Sequence, residues 1–258
     1  MIEAKVYNLK GNTKKTKITL PDVFSDGFRP DLIKRAVLSE QSKKRQKQGR
    51  FPLAGKLTTA SSIGPGRGIS KVPRTHGKKT HHASRAAIVN STRGGRLFAP
   101  PTTEKRIIEK INKKEHKIAL RSAVSATANK DIVSKRGHKV EKVANFPVII
   151  EDNFDELEKS KQVIEVLTNL GLDQEIDRTS KRKIRPGKGK YRGRKYRTKV
   201  GPLLVVGNES KVLQSGKNIL GVEVCKVNEL SVEKLAPGTD AGRITIWTES
   251  AIKLLEEW

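Results

Sequence analysis

Three histidines are the first residues in this chain that could do chemistry. His76, His81 and His82 carry imidazole rings that could hold a metal ion or transfer protons. They lie in a stretch without Cys, Asp or Glu, whereas zinc sites usually combine histidine with such ligands. Proton transfer of the ribonuclease type is conceivable, but no second group at a fixed spacing supports it. Histidines among arginines are more typical of a surface that stacks on bases or contacts phosphate and ribose, so we expect no metal site.

A cluster of glycines, Gly64-Pro65-Gly66-Arg67-Gly68, invites comparison with a nucleotide-binding loop. A dinucleotide fingerprint needs its glycines between a strand and a helix, and a phosphate loop continues into Gly-Lys-Ser or Gly-Lys-Thr. This cluster follows no predicted strand, opens no predicted helix and lacks that continuation. The simpler interpretation is that these glycines let the backbone lie close to surrounding groups. We therefore predict no cofactor and no catalytic residue.

Two stretches of the chain contain no acidic residue. Residues 41–103 hold 14 Lys and Arg, and residues 178–199 hold 12 more. The whole chain has 54 basic and 27 acidic residues, so the remaining 173 residues carry 28 basic against 27 acidic. Surfaces that face water mix both signs of charge, whereas a carboxylate would repel a phosphate backbone that it must approach. The pattern predicts a charge-balanced body that carries two cationic segments.

The partner of such segments is a nucleic acid or an anionic membrane. A membrane is the weaker hypothesis, because the basic stretches have no amphipathic helical face and few aromatic residues. No apolar run approaches the roughly 18 residues that span a bilayer, and the first residues lack a signal-peptide pattern. The single cysteine, Cys225, lies among valines and is expected to be a buried apolar side chain in a reducing compartment. We expect a cytosolic protein that binds nucleic acid and no membrane.

The second stretch indicates RNA more sharply than the first. It interleaves Arg, Lys and Gly with two tyrosines, and arginine forks bind phosphate while tyrosine rings offer stacking faces. A solvated flexible linker is the alternative. The residues expected to bind RNA in the first stretch are Lys43, Arg45, Lys47, Arg50, Lys56, Arg67, Lys71, Arg74, His76, Lys78, Lys79, His81, His82, Arg85, Arg93 and Arg96. Those expected in the second are Arg182, Lys183, Arg185, Lys188, Lys190, Tyr191, Arg192, Arg194, Lys195, Tyr196 and Arg197.

The elements that must position these segments alternate between strand and helix. Strands are predicted at Ala4–Leu9, Lys17–Leu20, Phe146–Ile150, Pro202–Val206 and Arg243–Trp247, and a further short strand is predicted within Asn218–Val224. Helices are predicted from Asp31 to about Gln48 and at Thr103–Lys110, Asn112–Asn129, Ser160–Leu170, Ser231–Leu235 and Glu249–Glu257. Asn112 with Glu115 predicts a capping box, and Thr248 is expected to cap the last helix.

This alternation predicts an α/β fold with a Rossmann-like three-layer core, in which a mostly parallel sheet is covered on both faces. We expect one globular domain over residues 1–258. Residues 41–103 are expected to form a long extended basic loop inserted in it, and residues 178–199 a second RNA-binding segment. A connection of that length without helix or strand is usually either functional or disordered. The two are compatible, because a loop that is disordered alone can become ordered when it binds a polyanion.

Several motifs then point to a family. The chain resembles the ribosomal protein L-four family of the large subunit, in its archaeal/eukaryotic form, over nearly its whole length. The motifs that carry the resemblance are Phe51-Pro52-Leu53-Ala54-Gly55-Lys56, Gly64-Pro65-Gly66-Arg67-Gly68, Val72-Pro73-Arg74, Gly94-Gly95-Arg96, Pro100-Pro101, Arg121-Ser122-Ala123, Arg136-Gly137-His138, Gly193-Arg194-Lys195-Tyr196-Arg197, Ala241-Gly242-Arg243 and Trp247-Thr248-Glu249-Ser250-Ala251. Lys78-Lys79 and the paired histidines depart from it, in a part of the loop that varies within the family.

The resemblance implies a structural component of the large subunit that binds its ribosomal RNA and supports assembly. It implies that the long loop lines the polypeptide exit tunnel near the constriction, beside the tunnel protein L-twenty-two and the nascent chain. The tip residues it implies are Gly64, Gly66, Arg67, Gly68, Lys71 and Arg74. We further expect four cations to clamp the two arms of the loop: Arg50, Lys56, Arg93 and Arg96.

Two other functions stay open from the residues alone. An RNA-modifying enzyme on a Rossmann-like core would need a cofactor pocket at the strand ends. A general nucleic-acid compaction protein would bind DNA and structured RNA equally at matched salt.

Overall fold

Short runs of Val, Ile and Leu build the central sheet, and the computed structural model describes residues 3–79, 81–207 and 209–256. The strands are β1 Glu3–Tyr7, β2 Thr13–Thr19, β3 Val148–Ile150, β4 Lys183–Ile184, β5 Tyr196–Arg197, β6 Leu203–Val206, β7 Glu223–Lys226 and β8 Thr245–Thr248. Six of them form one sheet in the order β2-β1-β3-β8-β6-β7, while β4 and β5 pair separately. Only the β1–β2 pair of the large sheet is antiparallel, so the sheet is mostly parallel.

The central strands are buried on both faces, as parallel strands usually are. Side chains alternate between two apolar clusters: Ile149 and Val205 lie in one, while Ile150 and Val206 lie in the other. Because the side-chain period of a strand is two, each strand supplies both clusters in turn. The sequence of these strands is therefore continuously apolar rather than alternating.

Helices cover both faces. They are α1 Pro30–Lys43, α2 Lys113–Ala128, α3 Lys130–Arg136, α4 Ser160–Leu167, α5 Asp173–Ser180, α6 Val212–Ser215, α7 Val232–Leu235 and α8 Glu249–Leu255. Buried residues of α1, α2, α7 and α8 pack in one cluster, and those of α3, α4 and α6 pack in the other. The prediction of a mixed α/β fold around a mostly parallel sheet is confirmed. The strand order differs from the 3-2-1-4-5-6 order of the dinucleotide-binding fold.

Hydrogen bonds hold α1, α2 and α7 together. Glu40 of α1 accepts hydrogen bonds from the backbone N–H groups of Val232 and Glu233, and its carboxylate lies 2.9 Å from Nε2 of His116. At the end of α1, the Ser39 hydroxyl donates to the carbonyl of Glu109 (2.6 Å), and the Glu109 N–H donates to the Ser42 hydroxyl (2.9 Å). The chain therefore leaves the body after α1 and returns to the same place before α2.

Two helix predictions are corrected at this point. The first helix ends at Lys43 rather than near Gln48. Beyond this residue the sequence offers no apolar face that could pack against the rest of the fold. The residues of Thr103–Lys110 form turns and irregular chain instead of a helix. Few of their apolar side chains recur at helical spacing, and Ile108 is exposed. The long helix is found as predicted, but the Asn112 side chain makes no cap hydrogen bond, so the capping box is absent.

Other elements around and beyond the second basic stretch were also compared with their predictions. Helix α5 was not predicted, since its sequence has a single apolar residue, Ile176. It follows a turn at Gly171, whose φ of +85° ends the α4 pattern near the predicted residue. The short strand predicted within Asn218–Val224 is β7, which begins at Glu223 and continues to Lys226. The predicted cap at Thr248 is confirmed, because its hydroxyl accepts a hydrogen bond from the Ala251 N–H.

The chain divides into two compact units. One is built from the residues up to Lys43 and from Glu109 onward, and the other from Lys44 to Ile108. We refer to the first as the body and to the second as the loop unit. The helices within the described ranges include none that is both long and apolar enough to cross a membrane.

Candidate nucleic-acid interface

The loop unit has no apolar core. None of its described residues is buried, and none belongs to a helix or a strand. Its order comes instead from main-chain hydrogen bonds and close contacts between backbone segments. A segment built in this way gains little from the hydrophobic effect, which is the dominant favourable term in folding.

Backbone contacts join the two arms of the loop unit. The Arg50 N–H donates to the Pro101 carbonyl at 2.9 Å across the two arms, while the Arg96 N–H donates to the Ile88 carbonyl at 2.9 Å within the returning arm. Gly55 lies against Gly95 so closely that a Cβ on Gly55 would be 2.5 Å from the Gly95 carbonyl carbon. The clamp predicted from the side chains of Arg50, Lys56, Arg93 and Arg96 is not what the structure shows. Neighbouring cations repel one another and have no carboxylate to join them, so glycine and the main chain bring the arms together.

The far part of the loop unit is a turn closed by one pair of residues. Ser61 and Arg74 exchange both backbone hydrogen bonds, at 3.1 and 2.9 Å, and enclose the predicted tip. Gly64, Gly66 and Gly68 all have φ between +65° and +81° and have no atom within 4 Å of an added Cβ. Their role is conformational: left-handed backbone in open space, where residues with a Cβ would be strained.

Arg74 differs from the other predicted tip residues. Its guanidinium Nη1 donates to the Ser84 carbonyl at 2.9 Å, and its side chain is only partly exposed. It therefore closes the turn from the inside, whereas Arg67 and Lys71 are exposed beyond it.

The three histidines make separate contacts. His76 Nε2 contacts the Ser61 hydroxyl, while the rings of His81 and His82 lie 3.7 Å apart, centroid to centroid. All three are exposed. Three or more His, Cys, Asp or Glu side chains come together nowhere among the described residues in a way that would hold a metal ion.

The cations of the two basic stretches differ in their partners from the cations elsewhere in the body. Lys14, Arg121 and Lys142 of the body pair with carboxylates at 2.5–2.8 Å, and others do likewise. Within the described ranges, the basic residues from Arg45 to Arg96 and from Lys181 to Lys199 form no ion pair with a carboxylate. Nearly all the predicted RNA-binding residues are exposed, and Arg74, Arg96 and Arg185 are partly so. Their charge is left for an outside anion.

The second basic stretch forms a hairpin, which the sequence reading did not anticipate. Strands β4 and β5 pair antiparallel, and the Arg185 N–H donates to the Lys195 carbonyl at 2.8 Å. Between them a 3-10 turn over Lys188–Arg192 ends at Gly193, whose φ is +78°. The flexible-linker alternative is therefore replaced by a shaped surface.

Two tyrosines stand on this hairpin with cations over their rings. Tyr191 is 84% exposed, and Lys190 Nζ lies 5.5 Å from its ring centroid. Tyr196 is 50% exposed, with Arg182 and Lys195 within 6 Å of its centroid. Exposed aromatic faces flanked by cations suit stacking against bases beside a phosphate backbone.

Sequence reasoning missed the exposed apolar side chains of the loop unit. Phe98 is 78% exposed, Leu57 68% and Phe51 59%. Their exposure could have been inferred, because these apolar residues follow no helical or strand period and lie in a segment with no predicted core. These side chains add apolar contact area to a loop unit whose exposed charged groups are mainly cations.

Comparison with known proteins gives this surface its context. A family model described as the ribosomal protein L4/L1 family matches residues 18–258. The chain belongs to this family. The large ribosomal subunit protein uL4 of Methanosphaera stadtmanae is 47% identical over 256 residues, covering 99% of this chain and 96% of that protein. The proteins of the same name from Methanoregula boonei and Archaeoglobus fulgidus are 44% and 43% identical and cover 99% or more of both chains.

The predicted family is thus confirmed. As a member of the ribosomal protein L4/L1 family, the chain is a structural, ribosomal-RNA-binding component of the large ribosomal subunit, a cytoplasmic ribonucleoprotein that acts in translation. It is not an enzyme, so the RNA-modifying alternative is set aside.

Proposed function

We propose that the chain binds large-subunit ribosomal RNA through residues 41–103 and 178–199, and that the first of these segments lines the polypeptide exit tunnel near its constriction. We further propose that residues 1–258 act as one domain with a Rossmann-like core, in which residues 41–103 are an inserted basic loop. The partners are the RNA, the neighbouring protein L-twenty-two and the nascent chain.

The observation that carries this proposal is the absence of carboxylate partners around the exposed cations. Arg93 and Lys56 of the loop unit and Arg192 of the hairpin are exposed. Among the described residues, none of the three has a carboxylate partner. Phosphate groups would supply the missing negative charge, and neutralising them releases counterions. A carboxylate in the same place would be desolvated beside like charge, which explains why residues 41–103 contain none.

The open glycines support the tunnel assignment. Gly64, Gly66 and Gly68 keep the tip narrow and left-handed without any packing of its own. A narrow tip without a core can lie between crowded RNA and a passing chain. Arg67 and Lys71 at this tip are exposed and can contact either.

The RNA proposal is tested by the salt dependence of binding. The double variant Lys56→Gln/Arg93→Gln removes two exposed arm cations, and we expect the slope of log K against log salt to fall by about 2. Lys10→Gln/Lys161→Gln removes two exposed body cations and is the matched control, for which the slope should hold. Equal slopes in both variants would refute the arm contacts, and the affinity of the full chain for large-subunit RNA is measured by filter binding.

The tunnel assignment is tested with a photo-cross-linker at Ile69, which is 48% exposed near the tip. In large subunits that carry a stalled nascent chain, we expect cross-links from this position to the nascent chain or to L-twenty-two. A cross-linker at Lys161 on the body should give neither. Cross-links from Ile69 to ribosomal RNA alone would place the tip away from the lumen.

A further inference from the structure

An open cavity on the body brings together three parts of the chain to which the proposed function gives no role. Its volume is about 530 Å³, within the range of roughly 300–1,000 Å³ for pockets that hold small ligands. It lies between the chain that enters α1, helix α3 and the turn that precedes β8. The lining residues that could contact a ligand are Phe28, Ile132, Lys135, Thr239, Asp240 and Ala241.

Contacts between α3 and the turn before β8 fix two walls of this cavity. Arg136 of α3 donates through Nη2 to the Pro237 carbonyl at 2.6 Å. Gly242 lies so close to the helix that an added Cβ would be 2.7 Å from Cγ2 of Ile132. The two walls are therefore held together without a ligand, and binding requires little reordering of the protein.

An exposed aromatic ring forms a third side. Phe28 is 43% exposed, whereas Phe24 and Phe154 of the same body are at most 4% exposed. The main chain beside it is anchored, because the Arg29 N–H donates to the Ser122 hydroxyl at 2.7 Å. An aromatic ring held at the mouth of a cavity offers a face on which a planar ligand stacks.

Asp240 gives the cavity an acceptor that a ligand can reach. Its side chain is exposed, and within the described ranges it makes no hydrogen bond and no ion pair, although its charge acts on Arg136. A carboxylate accepts hydrogen bonds through two adjacent oxygens and donates none. Thr239, directly before it, has a φ of +80°, which is strained for a β-branched residue. Strain of this kind is held by the surrounding structure and is frequent where a ligand is clamped.

Cations outnumber acids around the cavity. Lys135 and Arg136 line it with the one acid, Asp240. Lys135 is exposed and pairs with no carboxylate in the part of the chain that the structure describes. The net positive charge attracts an anion and repels a cation. The matching ligand is therefore planar, with a negative group for Lys135 and adjacent donors for Asp240.

We propose that this cavity binds one unpaired guanosine nucleotide of an RNA strand, with the base stacked on Phe28, its N1–H and N2 amino groups donating to Asp240, and its phosphate on Lys135. This inference rests on the proposed function, because it takes RNA as the ligand. It adds a base-reading site on the body, separate from residues 41–103 and 178–199. Sequence-specific RNA recognition works in this way, by stacking unpaired bases on aromatic rings and binding their Watson–Crick edges.

Guanine is the base whose Watson–Crick edge matches a carboxylate. It presents two adjacent donors, so both oxygens of Asp240 accept a hydrogen bond. Adenine and cytosine present one amino donor beside a ring nitrogen whose lone pair would face the second oxygen. Uracil presents one N–H between two carbonyl acceptors. Asp240 therefore selects guanine over the other three bases.

An arginine side chain from a neighbouring protein is the main competitor. Its guanidinium could stack on Phe28 and pair with Asp240. It would, however, add a third cation beside Lys135 and Arg136, with a single acid to offset them. The nucleotide brings a negative charge to the same place, so the charge of the lining favours the nucleotide.

The test compares three probes of equal charge on the full chain, the 5′-monophosphates of guanosine, inosine and adenosine. Because their phosphates are identical, attraction to surface cations is the same for all three, and a difference in affinity comes from the base. Binding is followed at constant ionic strength through the backbone amide resonances of Asp240 and Ala241. We expect these resonances to shift saturably with the guanosine probe. Inosine lacks the N2 amino group and should bind roughly three- to tenfold more weakly, the effect of one hydrogen bond, and adenosine should bind no better than inosine.

Three variants separate the contacts. Asp240→Asn keeps the shape of the side chain but replaces one acceptor oxygen by a donor, so guanosine should bind no better than inosine. Phe28→Leu keeps an apolar side chain and removes the ring, and it should weaken all three probes by about fivefold or more. Lys135→Gln should weaken the three probes equally and leave the preference for guanosine intact.

Asp131→Asn is the matched control for the acid. Asp131 is an exposed residue of α3 that does not line the cavity, so this change should alter neither the affinity nor the preference. Thermal unfolding of each variant checks that the fold is retained. Because Asp240 and Lys135 are exposed, their variants should melt like the wild type.

Several outcomes would overturn the inference. Equal binding of the guanosine and inosine probes by the wild-type chain, or a preference retained in Asp240→Asn, would remove the contact with the base. Tighter binding of N-acetyl-arginine amide than of the guanosine probe would assign the cavity to a neighbouring protein. If the wild-type chain binds large-subunit RNA but shows no preference among the probes, only this inference fails. If it does not select that RNA at all, the proposed function fails.

Discussion

Individual side chains decide whether a cation of this protein is neutralised from within or left for a partner. Arg243 is fully buried, yet it lies 2.6 Å from the Glu223 carboxylate and donates to the carbonyls of Gly201 and Lys234. Arg93 of the loop unit is exposed and has no such carboxylate. The same residue type therefore stabilises the body in one place and binds an outside anion in the other, according to which acids the surrounding sequence supplies.

The buried carboxylate of Glu175 gives a prediction about acid stability. Burial alone would raise its pKa, but hydrogen bonds from Arg178 and His138 outweigh burial and hold the pKa at about 2, below the ordinary 4.5. A depressed carboxyl pKa contributes stability above the unfolded value, and that stability is lost as pH falls through the folded value. We expect Glu175→Gln to lower the free energy of unfolding by about 3 kcal/mol at neutral pH.

Urea unfolding as a function of pH measures this effect. The curves of the wild type and of Glu175→Gln should converge as pH falls from about 4.5 toward about 2, where the wild-type carboxyl is itself protonated. Glu158→Gln, at an exposed pair with Lys211, is the control and should leave the curve unchanged. A constant gap between wild type and Glu175→Gln across this range would show that the carboxylate charge is not what stabilises the fold.

At the level of elements, the sequence predicted the strands that burial dictates and missed elements that depend on distant partners or are very short. Strands β3 and β6 were found because their apolar runs leave little alternative. Helix α5 was missed because its buried acid and threonine, Glu175 and Thr179, are polar residues whose burial depends on partners distant in sequence. The basic hairpin was missed because its strands have two residues each, too short for any period.

The candidate interface divides in the same way. The charge and exposure of Lys56 or Arg192 follow from composition, so they could be predicted. The shape of the hairpin that carries Arg192 could not, because it depends on a pairing between two strands of two residues each. The contact between the arms also escaped prediction, since glycine specifies a close approach without indicating to what.

That contact between the arms is testable through Gly55. A Cβ at this residue would lie 2.5 Å from the Gly95 carbonyl carbon. We expect Gly55→Ala to separate the arms, so that the amide of Arg50, which donates to the Pro101 carbonyl on the other arm, loses its protection from hydrogen exchange while the melting temperature of the body is unchanged. Gly94→Ala is the control: its φ of +77° is close to the +81° of Gly55 and nothing lies within 4 Å of the added carbon, so it adds backbone strain without a clash. Retained protection of Arg50 in Gly55→Ala would contradict the close contact.

At the scale of the whole molecule, charge and core are segregated. The body has two apolar clusters, and the chain outside the two basic stretches carries 28 basic against 27 acidic residues, while those stretches hold 26 of the 54 Lys and Arg. Stability therefore resides in the body, and affinity for a polyanion resides largely in segments that add little to it. A protein divided in this way can change its contacts with a partner without changing its fold.

The hydrogen bonds between the end of α1 and Glu109 have a consequence for folding. To form them, the chain must close a loop of 65 residues that contributes no core of its own. The entropy of that closure opposes folding by about 4 kcal/mol and depends only on the logarithm of the loop length. Replacing residues 51–97 by a short Gly-Ser linker should therefore raise the free energy of unfolding of the body by about 1 kcal/mol, as measured by urea unfolding. A loss of stability would mean that the loop unit supports the body. The loop unit therefore lowers the stability of the free protein, although its length adds only slowly to the cost.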